Sequence, residues 1–152
     1  MTFRCAARDA FITHTGTQMA SILLVGGDEA LLEGLAQMLA HAGHVPHTAL
    51  SVHDAIEIAG TARPLVAIID RNLALANPEI ARLPLESGGS FLVYHSGDAT
   101  RPTLAAALQR LVLAELDLPL ERNRLLALVQ RVDERTRATG RRADESPDHR
   151  AH

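Results

Sequence analysis

Short apolar runs alternate with helical patterns along the chain, starting at Ser21. Ser21 to Val25 has the length and composition of a buried strand, Gly26-Gly27 reads as a turn, and Asp28 as the cap of a helix over Glu29 to Ala42. Leu31, Leu32, Leu35, Met38 and Leu39 recur there at helical spacing, and Gly43 closes the helix. Val45 to Leu50 predicts a second strand. Ser51 with Asp54 predicts a capping-box-like start for a helix carrying Val52, Ile56 and Ile58. Beyond Pro64, Leu65 to Ile69 is a continuous apolar strand ending in Asp70. Arg71 to Asn77 reads as a loop, and a short helix opens at Pro78 and is stopped by Pro84.

Phe91 to Tyr94 predicts a fourth strand behind Ser87-Gly88-Gly89. Asp98 to Arg101 is placed to cap a helix with Pro102 in its first turn and Leu104, Ala107, Leu108 and Leu111 along one face. Ala114 to Leu118 is a weaker fifth strand, broken by Pro119. Glu121 to Val132 then forms the last amphipathic helix, through Leu125, Leu126, Leu128, Val129 and Val132. Alternation of this kind, with strands apolar on both faces, is the signature of a parallel sheet covered by helices. Right-handed crossovers make it a (βα)5 three-layer α/β sandwich, with its functional edge at the carboxyl ends of the strands.

With 152 residues the chain fits one domain. Residues 1–18 lack sustained periodicity and are read as a flexible extension; 19–132 is the folded domain; 133–152 is a charged tail expected to be disordered. The apolar runs are too short to cross a bilayer, and no signal segment opens the chain, so a cytoplasmic protein without membrane contact is expected. One cysteine, Cys5, allows neither an internal disulfide nor a thiolate zinc site.

Charge narrows the chemistry further. All 15 basic residues are arginine, which excludes a Walker A loop, a Schiff-base enzyme and any mechanism that needs an ammonium group. From Met19 to Gln130 there are 12 acidic residues against 7 arginines, a net −5, so nucleic acid is not an expected partner.

At the carboxyl ends of the strands converge Gly26-Gly27-Asp28, Asp70, His95-Ser96 and Leu118-Pro119. This order of motifs, with Ile22 to Val25, Pro64 to Asp70 followed by Asn72-Leu73, and Phe91 to Tyr94, resembles the receiver domain of bacterial two-component response regulators over residues 20 to 132. The resemblance implies a flavodoxin-like sheet of order 2-1-3-4-5 and phosphoryl transfer from a histidine kinase to an aspartate, with Mg²⁺ held by an acidic pair. Asp70 matches the acceptor. The acidic pair falls on Gly26 and Gly27, leaving Asp28 as the nearest carboxylate, and the family's lysine falls on Leu118. The hydroxyl switch position falls on His95 or, with a slip of one residue, Ser96. The switch aromatic falls on Glu115, while Tyr94, the only tyrosine, reads as strand packing. Family resemblance also implies a cis bond at Leu118-Pro119.

Phosphoryl transfer depends on neutralising charge around the transferred oxygens. Without the acidic pair and the lysine, the expectation is a degenerate, stand-alone receiver-like module with no catalytic residues and no cofactor. It would act through a histidine kinase, another receiver or an output protein, with a homodimer as one form. The contact face implied by the resemblance is the fourth helix, fifth strand and fifth helix, with Leu104, Leu108, Leu111 and Leu125. The alternative is a phospho-accepting regulator in which Asp28, Asp70 and the backbone carbonyl of Asn72 hold Mg²⁺. A weaker one is an anion site at the Gly-Gly turn, opposed by Asp28 and Glu29.

Other patterns are set aside. Gly26-Gly27-Asp28-Glu29 spells the opening of the diguanylate cyclase signature, but too little chain lies upstream for that domain. No third glycine completes a dinucleotide fingerprint. His41, His44, His47 and His53 are interrupted by Gly43 and Pro46 and lack an acidic or thiol ligand, so they read as surface histidines around a turn.

Overall fold

The computed structural model describes residues 20–95 and 104–150. In chain order they form β1 (Ser21–Val25), α1 (Glu29–His41), β2 (Val45–Ala49), α2 (Val52–Ala62), β3 (Val66–Asp70), α3 (Arg71–Ala76), a 3₁₀ turn (Pro78–Arg82), β4 (Ser90–His95), α4 (Ala106–Leu111), β5 (Val112–Asp117) and α5 (Arg122–Arg150). The expected extension at residues 1–18, Ser96 and the cap at Asp98 to Arg101 lie outside the described residues.

All strand pairs are parallel and the sheet order is β2-β1-β3-β4-β5, as expected for the flavodoxin-like sandwich. Alternation along each strand divides the core. Ile22, Leu24, Ile68, Leu92, Tyr94 and Leu116 pack with the apolar stripes of α1 and α5. Leu23, Val25, Ile69 and Val93 pack on the opposite side, with α2 and α4. Local capping explains where helices begin. Asp28 Oδ1 accepts the Leu31 N–H at 3.1 Å, and Ser51 Oγ accepts the Asp54 N–H at 3.1 Å.

Several elements differ from the sequence expectation for identifiable reasons. Arg71 to Asn77 is not a loop: the Asp70 carboxylate caps it, and the helix α3 follows immediately. In α2 the residues buried against the sheet are Val52, Ala55 and Ala59, while Ile56 is exposed, because the small alanines let the helix sit close. β5 starts at Val112, straight from α4, with a register shift between Phe91 and Leu92 that leaves Leu113 exposed. α5 passes Val132. Asp133 is only 6% exposed, and beyond it Thr136 Oγ1 donates to the Gly88 carbonyl at 3.4 Å, so the charged stretch begins as packed helix. His44 is buried rather than on the surface, because the α1–β2 turn folds under α5 near Asp133 and Arg137.

Candidate functional site

Strand order reverses between β1 and β3, and Asp70 stands at that reversal, at the end of β3 and opposite Tyr94 of β4. Its half-buried carboxylate accepts the Asn72 N–H at 3.0 Å, which makes Asp70 the N-cap of α3. Asp28 does the same for α1 from an exposed position. Asp28 and Asp70 thus each have one oxygen engaged by a helix start, where the helix dipole favours negative charge.

Beside Asp70 on the neighbouring strand stands a phenol. Tyr94 is 2% exposed, and its hydroxyl has no hydrogen-bond partner among the described residues. Burial, and then the negative charges of Asp70 and Asp28, push its pKa well above the ordinary tyrosine value, so the hydroxyl stays protonated. Across from it is Gly26, at the end of β1. A Cβ built on Gly26 would collide with the Tyr94 hydroxyl and lie 3.2 Å from its Cζ, whereas one on Gly27 would meet nothing. The ring thus occupies the space that a side chain at position 26 would take.

The cation beside Asp70 in sequence points elsewhere. Arg71 is buried, and its Nε donates to Glu115 Oε1 at 3.3 Å, crossing β4 to β5. Leu118 is fully buried in the core; its N–H donates to the His95 carbonyl at 2.9 Å, and the Leu118-Pro119 bond is cis. His95 is half-buried. At the start of α5 the Asp117 N–H donates to Glu121 Oε1 at 2.8 Å, and this bond, followed by the charge of Arg124, holds the Glu121 carboxyl below its usual range.

No family model and no curated protein matches the chain. Solved structures do. The signal receiver domain of a putative LuxO repressor protein from Vibrio parahaemolyticus superposes with a TM-score of 0.64 at 18% identity, over 80% of this chain and 95% of that one. The CheY-like receiver domain from Methylobacillus flagellatus gives 0.62 at 22%, over 76% and 99%. NtrX from Brucella abortus, solved with ADP, gives 0.66 at 19% over 84% of this chain, which spans 29% of NtrX. The fold is that of receiver domains.

Placed on the receiver fold, Asp70 occupies the end of the third strand and Asp28 the start of the first helix, and the structure brings both to Tyr94. Gly26 and Gly27 sit at the same edge without side chains. Leu118 faces the core. Glu115 is neither aromatic nor free, being tied to Arg71. Mg²⁺ asks for a near-octahedral shell of oxygens. Here Asp28 and Asp70 are each engaged by an N–H, and the Tyr94 oxygen is buried and protonated; among the described residues no three His, Cys, Asp or Glu gather as a metal-binding group.

The apolar face implied for contact changes as well. Leu104, Leu108 and Leu125 belong to the core, whereas Leu111, Leu113 and Leu120 are exposed at 46%, 44% and 79%. Sequence reading missed Arg71 as a buried ion-pair partner and Tyr94 as a resident of the crevice. The signal for Tyr94 was its place at the end of β4, in register with Asp70. Among the described residues no helix is long and apolar enough to cross a membrane.

Proposed function

We propose that this chain is a receiver-like signalling module that works by binding another protein, with phosphoryl transfer impaired at Asp70. The observation that carries this reading is the state of that carboxylate: it caps α3, the guanidinium next to it in sequence is bonded to Glu115, and the residue at the lysine position is a buried leucine. Adding a phosphoryl group would raise the negative charge beside Asp28, where glycines stand in place of the acidic pair and Leu118 in place of the lysine. Its partners are a histidine kinase, another receiver or an output protein in the cytoplasm. Contact is made through the α4–β5–α5 side, where Leu111, Leu113 and Leu120 are exposed, and a homodimer uses the same face. The net acidity of the domain opposes nucleic acid as a ligand.

Incubation with acetyl phosphate and Mg²⁺ followed by intact-mass measurement tests the impairment. The expected spectrum is that of the unmodified chain. A phosphoryl adduct that disappears in Asp70→Ala overturns it in favour of a phospho-accepting regulator.

A further inference from the structure

We infer that Tyr94 is a built-in plug, matched to Gly26, that closes the crevice by taking the space a side chain at position 26 would need. The inference deepens the proposed function and rests on its placing of the crevice at Asp70. Gly26 follows the last residue of β1, its N–H bonded to the Ala49 carbonyl at 3.1 Å, so its backbone is held to the sheet and cannot drift to make room. The Tyr94 ring rises from β4 on the same face, in register with Asp70, and its hydroxyl collides with a Cβ built at position 26. A side chain at 26 and the Tyr94 phenol in its present place therefore compete for the same space.

The hydroxyl itself is buried and unpartnered among the described residues, an arrangement that costs free energy compared with a plain ring. A phenylalanine ring at this position would fill the core as well. What the hydroxyl adds is reach: it is the atom that enters the place of a Gly26 side chain. Below it, the ring belongs to the α1–α5 side of the core, so the plug is anchored by apolar packing.

The test is a stability cycle on the full chain: wild type, Gly26→Ala, Tyr94→Phe and the double variant, with Gly27→Ala as a control, since a Cβ there meets nothing. Gly26→Ala is expected to lower Tm by roughly 5 °C or more through overpacking. Tyr94→Phe is expected to leave Tm unchanged or raised, and most of the Gly26→Ala loss should be recovered in the double variant. Tyr94 is the only tyrosine and the chain has no tryptophan, so intrinsic emission reports this ring alone. Acrylamide quenching should rise in Gly26→Ala as the ring is displaced. Equal losses from Gly26→Ala in the wild-type and Tyr94→Phe backgrounds overturn the plug, as does a Gly26→Ala variant as stable as wild type. The cycle reads packing and the acetyl phosphate experiment reads chemistry, so a coupled pair together with a phosphoryl adduct sinks the proposed function alone. Loss of coupling with no adduct sinks the plug alone.

Discussion

Asp70 has two physical roles that differ in sign when it is removed. As one of two carboxylates at an acidic edge, its loss would relieve repulsion with Asp28 and stabilise the fold. As the N-cap of α3 it satisfies the Asn72 N–H, and removing a cap costs about 1 kcal/mol. The cap is a direct bond at 3.0 Å, whereas the repulsion acts between groups that are exposed or half exposed, so the cap prevails. Urea denaturation should therefore find Asp70→Ala less stable than wild type and Asp70→Asn close to it. His44 makes a second prediction at this scale. Burial lowers its pKa first, Asp133 opposes the shift and Arg137 adds to it, while both ring nitrogens lack a hydrogen-bond partner. Since the unfolded chain takes up the proton at 6.5 and the folded one resists it, stability falls as pH drops below 6.5 and levels off once the folded protein is protonated too. A pH series of chemical denaturation should show this acid limb flattened in His44→Leu.

At the scale of elements, the ion pair between Arg71 and Glu115 ties the β3–α3 junction to β5 across β4. Its two members are unequally placed, the Arg71 side chain at 9% exposure and that of Glu115 at 36%. Glu115→Ala strands a buried guanidinium, whereas Arg71→Ala leaves a carboxylate that water still reaches, so Glu115→Ala should destabilise more, by about 1–3 kcal/mol against about 1 kcal/mol or less. Thermal melts of the two single variants decide it. Strand positions and caps were legible because they depend on neighbours in sequence: the apolar run before Asp70, Asp28 ahead of Leu31, Ser51 ahead of Asp54. The α3 helix was not, since Asp70 reads as a chemical group until its carboxylate is seen on Asn72. Arg71 with Glu115 and Gly26 with Tyr94 are pairs of distant residues whose complementarity exists only in the folded sheet. Spacing along the chain placed Gly26, Asp70 and Tyr94 at one edge, yet only the fold shows that the ring takes the space of a Gly26 side chain.

For the whole molecule, the two edges of the sheet differ in how they meet a second copy. Beside β2 lies a groove lined by Leu32, Pro46 and Ile58 and rimmed by Glu29, Glu33, Asp54 and Glu57. A two-fold contact sets a patch against itself, so a surface of one sign repels its own image. Beside β5, the exposed Leu111, Leu113 and Leu120 stand among Arg110, Arg122 and Arg124 as well as Glu115, Asp117 and Glu121, a mixture that a two-fold axis can pair. β5 is also an edge strand with an outward leucine at its register shift, an arrangement that soluble proteins usually cover. Self-association, where it occurs, is therefore assigned to the β5 side. Size-exclusion chromatography with light scattering should find dimers at high concentration, shifted toward monomer in Leu113→Glu and Leu120→Glu and unaffected by Ile58→Glu. A strict monomer at every concentration removes the homodimer and leaves this face to a different protein. A dimer disrupted by Ile58→Glu moves the contact to the acidic groove, and the charge argument fails with it.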